Sequence, residues 1–374
     1  MSATAGASPK GRVLIVTPVG VEGQGGIDRL FVYFIDWVRA NDVPLVMDHL
    51  GARGEWKGPW WALYFLGALV RFTWLLFTRK YALAHIHVST DGSALRKVLL
   101  GRIARLSGTP YIIHFHGMVS AEAIRNNPLW LRALGVLARD AAKVIVLGEA
   151  FRGPFRDVLG VADERITVIH NGVPDIRGNA AIPRPPVEVL SLLFCGEVGN
   201  RKGVDLLVAA LAQMRAQQPS WTCTIAGNGS MEPYREVMTK SGIADRVKVT
   251  GWLSLPEVHK LMRAADVVVL PSRAEALPLS LIEGAASGNA LVATDVGAVR
   301  DVVNDGVNGI VVRHDTGDIA SALQQLLADR AILGRMQVAS RALYEEKFTV
   351  PVFARSILDL YRLLGVEVVA GSRE

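Results

Sequence analysis

Two glutamates stand eight positions apart in the run Pro271-Ser272-Arg273-Ala274-Glu275-Ala276-Leu277-Pro278-Leu279-Ser280-Leu281-Ile282-Glu283-Gly284. With a helix starting near Pro278, Glu275 falls in the loop ahead of it, beside the amides of Ala276 and Leu277, while Glu283 falls about a turn and a half inside. A carboxylate on an otherwise apolar helix face needs donors, and the vicinal hydroxyls of a ribose supply two. A second group, Gly196-Glu197-Val198-Gly199-Asn200-Arg201-Lys202-Gly203, follows an apolar run and opens another helix. Two adjacent cations at the positive end of a helix are costly unless an anion neutralises them. A diphosphate would do so; the bland alternative is a solvated basic turn. A third group, Pro18 to Arg29, carries Gly20, Gly23, Gly25 and Gly26 before a helix. Such glycines either let backbone amides approach a phosphate or substrate or merely make a turn. Their spacing is neither G-x-G-x-x-G nor Walker A, which argues against a nicotinamide oxidoreductase.

These loops need strands ahead of them and helices behind. Short aliphatic runs alternate with helix-period segments along the chain, the pattern of parallel sheets covered by helices on both faces. Strands are expected at 12–17, 43–48, 82–88, 110–115, 143–147 and 165–169, with helices near 27–40, 59–79, 93–107, 128–141 and 149–159. After the turn-rich connector 171–186, strands resume at 190–195, 221–226, 246–249, 267–270, 290–293 and 310–312. Helices near 203–217, 232–241, 256–264, 279–287, 298–303 and 317–329 separate them. The fold class is therefore α/β, with two doubly wound parallel-sheet, Rossmann-like domains facing across a cleft, their ligands beyond the carboxyl ends of the strands. The expected division is an N-terminal domain over 1–174, a C-terminal domain over 175–348, and a final helix in 349–374 that crosses back to the first domain.

Composition narrows the class further. In 374 residues, 50% hydrophobic and 20% charged side chains exclude a disordered or coiled-coil chain. The net charge of +6 is uneven, because the segment 53–105 holds nine Arg and Lys against Glu55 and Asp91 only. That basic field suits an anionic lipid or phosphate. It adjoins an apolar, Trp-rich run instead of a groove-sized basic helix, so nucleic acid is not the expected partner. The run itself, 56–80, is marginal as a membrane span: Arg71 interrupts it at a cost of about 2.5–3.5 kcal/mol on insertion scales. The better reading is a helix that packs partly on the sheet and offers Trp and Phe to a membrane interface between flanking cations, with a wholly buried core helix as the alternative. Cys195 and Cys223 show no metal-ligand or CxxC spacing and read as reduced core thiols. No apolar leader precedes Val13, so the expected location is cytoplasmic, peripheral at the inner face of the cell membrane.

The ordered series formed by Gly25-Gly26, Ile169-His170-Asn171-Gly172-Val173, Gly196 to Gly203 with Lys202, Gly227-Asn228-Gly229, and Glu275 with Glu283 followed by Gly288, Thr294-Asp295 and Gly297 resembles the retaining GT-B glycosyltransferases of family four, from residue 13 to about 348. The resemblance implies transfer of a hexose from a nucleotide-sugar donor to a hydroxyl acceptor, a lipid-linked or polysaccharide-precursor glycan. The donor would be a substrate, with no resident cofactor, held by the second domain, and the acceptor would be held by the first. By position, Lys202 and Arg201 would bind the diphosphate, and Glu283 the ribose. Glu275 and the amides of Ala276 and Leu277 would orient the sugar. The backbone around Val249, Thr250 and Gly251 would meet the base, with Gly227 and Gly229 shaping the wall beside it. His116, in Ile113-His114-Phe115-His116-Gly117 at a strand end, matches the histidine that such enzymes place near the reacting sugar. His116, Glu275 and Lys202 are thus the expected catalytic residues. No metal is expected, since the chain has no Asp-x-Asp pair and cations with helix ends can take a metal's task. Two departures stand out: Glu197 occupies a place where many relatives carry Arg, leaving Arg201 to supply that charge, and no glycine follows Glu275. The rival functions are a sugar-nucleotide epimerase of the same architecture and a non-catalytic nucleotide-sugar-binding protein.

Overall fold

The computed structural model describes residues 11–20, 25–54, 61–89, 93–119, 127–178, 188–217 and 220–368. The expectations for Gly23, for Trp56, Lys57 and Trp60, and for connector residues 179–186 lie outside these, and of Trp61 only the backbone is described. The chain forms two units: Met1–Gly172 together with Val350–Glu374, and Val173–Thr349.

Unit 1 is built on the strands β1 (Arg12–Thr17), β2 (Val46–Gly51), β3 (Leu83–Val88), β4 (Tyr111–Phe115), β5 (Lys143–Val146) and β6 (Ile166–Val168). They form a parallel sheet in the order β2-β1-β3-β4-β5-β6. Every residue of β3 and β4 is buried, as a parallel strand covered on both faces requires. Its helices are α1 (Gly26–Ala40), α2 (Trp61–Thr78), α3 (Ser93–Leu106) and α4 (Pro128–Asp140). Pairing of β2 begins at Val46 opposite Arg12, not at residue 43, because Pro44 has no amide to give the ladder. The helix expected over 149–159 is a 3₁₀ turn, Glu149–Phe151, and a π turn, Pro154–Val158; Gly153-Pro154 interrupts regular bonding there.

Helix α2 has two apolar faces. Phe65, Ala68, Phe72, Leu75 and Leu76 are buried in unit 1, whereas Leu63, Leu66, Val70, Trp74 and Phe77, spaced as one helical stripe, are exposed. Leu95, Leu99 and Leu106 of α3 are exposed as well. Among the described residues no helix is long and apolar enough to cross a membrane.

Unit 2 contains β7 (Leu190–Cys195), β8 (Trp221–Ala226), β9 (Val247–Gly251), β10 (Val267–Leu270), β11 (Ala290–Thr294) and β12 (Gly309–Val312). Its parallel sheet runs β12-β11-β10-β7-β8-β9. The helices are α5 (Val204–Gln213), α6 (Glu232–Lys240), α7 (Leu255–Ala264), α8 (Leu279–Ala286), α9 (Val299–Val302), α10 (Thr316–Ala328) and α11 (Arg330–Lys347). Sequence reading missed α11 because its inner stripe is partly polar. Gln337 and Ser340 are buried among Leu333, Met336, Leu343 and Tyr344, and they bond the carbonyls of Asp266 and Asn308 at 3.3 and 3.0 Å. The connector's first residues belong to this unit: Asp175 meets Arg341 at 2.7 Å, and the Arg341 guanidinium holds that carboxylate down at about 2. Cys195 and Cys223 are both outside any disulfide; Cys223 is buried as expected of a core thiol, which pushes it up to about 12, whereas Cys195 at the end of β7 is only partly buried.

The last helix, α12 (Val350–Leu363), returns to unit 1. Its Phe353, Ile357 and Tyr361 complete the core formed by Phe31, Phe34 and Val38 of α1 over Val13, Ile15 and Leu83.

Candidate functional site

Each sheet has one place where successive connections leave in opposite directions, and in open α/β sheets that crevice is where ligands bind. In unit 2 it lies between β7 and β10. The loops leaving these two strands carry Lys202 and Glu275, and the structure brings them together: Lys202 Nζ lies 2.6 Å from Glu275 Oε1. The Lys202 side chain is 15% exposed and that of Glu275 8%. The Ser272 hydroxyl donates to the same Oε1 at 2.6 Å. A carboxylate this deep needs that much partnering. Ser272 had no role in the sequence reading; its place at the close of a buried strand was the available signal.

Glycines let the two loops close on each other. Gly203 is left-handed, with φ of 71°, and any Cβ there would collide with the Pro271 carbonyl. Gly227, with φ of 148°, sits equally close to the carbonyl of Gly196. Its amide donates to Gly251 at 2.9 Å, and Val198 donates to the Asn228 carbonyl at 2.6 Å beside Gly229. Gly227 and Gly229 thus tie the ends of β7, β8 and β9 together, with Val249 and Gly251 closing β9. On the other side the Ala298 amide donates to the Ala276 carbonyl at 2.9 Å, and His314 and Thr294 both bond the Ser272 carbonyl. Leu277 is buried; Glu283 lies on α8, partly exposed.

The premise that Arg201 and Lys202 jointly demand an outside anion does not hold as stated. Arg201 is exposed and pairs with Glu197 at 2.8 Å, just as Lys202 pairs with Glu275. Nor do they open an α-helix: Asn200–Lys202 is a 3₁₀ turn, and α5 starts at Val204. Arg273, inside the Glu275 motif, holds this turn by bonding the Asn200 carbonyl and both Asp205 carboxylate oxygens, at 2.8 and 2.6 Å.

In unit 1 the corresponding crevice lies between β1 and β3. Gly25 caps α1 and Gly26 begins it, without a side-chain cap. The amides of Val19 and Gly20 do not await a ligand, since both donate to Asp28 Oδ1 at 3.1 Å. His116 follows β4 directly, its amide donating to the Val88 carbonyl at 2.7 Å. Its Nε2 lies 2.8 Å from Nδ1 of His87, so one ring donates and the other accepts. Behind them the β3 and β4 side chains continue as a stack: His85 and His87 are 4.6 Å apart at 11°, and His87 and His114 5.0 Å apart at 31°. His85 Nδ1 meets the Tyr361 hydroxyl at 2.6 Å. Burial pushes His116 and His85 down to about 3, and the charge of Lys97 adds to the effect on His116. His85, His87 and His114 are the group whose ligating atoms come within 4.8 Å of one another among the described residues. Near-parallel rings keep their lone pairs in separate planes, which is the geometry of packing and not of a tetrahedral metal site.

Residues 190–329 match the family described as glycosyl transferases group 1, and residues 3–172 match the glycosyl transferase 4-like domain. The chain is 26% identical over 318 residues to an alpha-D-kanosaminyltransferase of Streptomyces kanamyceticus, covering 78% of this chain and 82% of that protein. To a D-inositol 3-phosphate glycosyltransferase of Nocardiopsis dassonvillei it is 29% identical over 311 residues, covering 75% and 70%. Among solved structures, Anabaena HepE in complex with UDP superposes with a TM-score of 0.74 at 17% identity, covering 94% of this chain and 100% of that one. This last likeness concerns the fold.

Proposed function

The chain belongs to the group 1 glycosyl transferases, with their two-domain GT-B fold, and from that membership we propose that it moves a hexose from a nucleoside-diphosphate sugar to a hydroxyl acceptor, with retention at the anomeric carbon and without a metal. The observation that carries the donor assignment is the Lys202–Glu275 pair at the β7/β10 crevice. On this reading Lys202 turns from Glu275 to the diphosphate and carries the charge that builds on the leaving group. Glu275, released from that pair and still held by Ser272, accepts from a donor-sugar hydroxyl, with the Ala276 and Leu277 amides alongside. Glu283 takes the ribose hydroxyls, and the backbone at Val249 and Gly251 meets the base. Arg201 contributes to the diphosphate only by leaving Glu197. As the bond from the anomeric carbon to the phosphate oxygen breaks, the acceptor oxygen attacks from the same face and gives its proton to the departing phosphate. His116, its Nε2 engaged by His87, presents Nδ1 to a sugar hydroxyl.

Calorimetry and hydrolysis assays with UDP-, GDP- and ADP-glucose, without acceptor and with a chelator present, test this. One donor is expected to bind and to release its sugar slowly in the α configuration. Conversion of the donor into a different sugar nucleotide would establish the epimerase, and failure of all three to bind would remove the donor site.

We further propose that the acceptor is met at an anionic membrane surface on the cytoplasmic face, through the outward stripe of α2. Five large apolar side chains there are flanked by the exposed Arg71, Arg79 and Lys80, the combination that favours interfacial docking. The protein should co-float with anionic liposomes at low salt, and Trp74→Ser with Phe77→Ser should abolish flotation. Wild-type protein left at the bottom of the gradient would refute the idea.

A further inference from the structure

A lysine lies buried in unit 1, and among the described residues no carboxylate forms an ion pair with it. Lys97 on α3 is 3% exposed, and among the described residues its ammonium makes one hydrogen bond, to the Ser93 hydroxyl at 3.0 Å. That hydroxyl also accepts from the Ser89 amide at 3.2 Å, so its two lone pairs are both in use. The carboxylate whose field reaches Lys97 is Asp28, and one of its oxygens is committed to two backbone amides. The fields of Arg96 and Arg53 also reach Lys97, and with burial as the larger cause they push its ammonium down to about 7. Arg53 leads away from the end of β2 and is exposed, its amide bonded to the Pro18 carbonyl at 2.7 Å. Ser89 and Ser93 bracket the start of α3 behind β3, and His116 closes the end of β4.

The end of the unit 1 sheet, beside the β1/β3 crevice, therefore brings Lys97, Arg96, Arg53 and the His116 imidazole within electrostatic reach of one another, and Asp28 within reach of Lys97. Burying an ammonium against a lone hydroxyl is unfavourable unless an anion completes its donors. We infer that this crevice binds a phosphoryl group carried by the acceptor, with Lys97 as the inner cation and Arg96 and Arg53 at the rim. A phosphate matches the arrangement because its oxygens can accept from the ammonium, two guanidinium groups and helix-end amides at once. The inference rests on the assignment of the acceptor to unit 1, and it adds what that acceptor must contain. The phosphoryl group can come from a soluble sugar phosphate or from a lipid phosphate at the surface that α2 faces.

The test is calorimetry on the full chain, saturated with whichever nucleoside diphosphate it binds, titrated with inorganic phosphate, glucose 1-phosphate and glucose. The two phosphates are expected to bind and glucose is not. Lys97→Met should weaken phosphate at least about tenfold and Arg53→Gln a few-fold, in line with charge-assisted bonds, with nucleotide affinity unchanged in both. Near pH 8, phosphate binding should take up a proton in the wild type and none in Lys97→Met. In a parallel arm, vesicles containing phosphatidylglycerol should compete with inorganic phosphate if the source is lipid and leave it undisturbed if the source is soluble. Phosphate affinity unchanged in both variants, or absent in a wild type that still binds nucleotide, overturns the inference: Lys97 is then a packed core lysine. If Lys97→Met does not fold, Arg53→Gln, which alters an exposed side chain, and the proton count keep the question decidable. Loss of nucleotide binding in the wild type would instead count against the donor site.

Discussion

Replacing Lys202 by methionine is expected to lower the turnover of sugar transfer on the order of 10²–10³-fold, the usual loss when a preorganised partner of a developing negative charge is removed. The same change strips Glu275 of its cation, and breaking a largely buried pair costs stability, about 3–5 kcal/mol. The two effects must therefore be separated. Glu275→Gln keeps the shape and removes the charge. In the double variant Lys202→Met, Glu275→Gln no ion is left unmatched, so its urea midpoint should recover most of the loss seen in Lys202→Met. Turnover should not recover. Measuring kcat and the urea midpoint for the four members of this cycle decides the issue. If the double variant regains activity along with stability, the pair is a structural clasp and the donor's diphosphate is handled elsewhere.

The second large effect is a loss of unit 1 in mild acid. His85 and His116 are held near 3 and His49 near 4, burial being the first cause in each case. His87 and His114 are pushed well below the ordinary value of 6.5 by burial first, with the charges of His85 and His116 adding to the effect on both. Between 6.5 and these lowered values the unfolded chain binds protons that the folded chain refuses, so stability falls as pH falls and levels off only below the folded values. Each histidine contributes up to about 1.4 kcal/mol per pH unit. Five acting together make the decline steep from just below pH 6.5. Hydrogen exchange read by mass spectrometry should show β3 and β4 losing protection while the β7–β8 peptides of unit 2 retain theirs. Loss of both units together would contradict this. Both ring nitrogens of His114 are buried without a partner among the described residues. His114→Phe should therefore stabilise the protein at pH 7, by about 1–3 kcal/mol, and lower the acid midpoint.

The histidine stack illustrates what sequence reading could and could not reach. Alternation in Ala84-His85-Ile86-His87-Val88 and Ile112-Ile113-His114-Phe115-His116 puts four imidazoles on one sheet face, but only parallel register sets His87 opposite His114. His116 stands out by its match to the family's histidine position at a strand end; its partner His87 is distant in sequence. Strand runs such as Leu190–Cys195 and Trp221–Ala226 were legible to the residue, because short runs dominated by apolar and β-branched side chains read as strands. The α11 helix was not, since two of its core positions are polar and satisfied by carbonyls that the sequence cannot pair. Lys202 and Glu275 were each visible as unusual at strand ends. That they would satisfy one another, and that Glu197 would claim Arg201, required the loops to be folded. Lys97 passed for one surface cation in a basic segment, because burial of a lysine leaves no mark on composition.

The return of α12 to unit 1 has a bearing on synthesis. Unit 2 is an unbroken stretch of polypeptide and can finish as soon as it leaves the ribosome. The β1–β6 sheet is made before unit 2 yet must wait, with the places of Phe353, Ile357 and Tyr361 empty, until α12 has been translated. A nascent chain thus carries a greasy slot beside the histidine stack for most of its elongation, and a premature stop anywhere before residue 350 leaves that slot permanently open to chaperones and proteases.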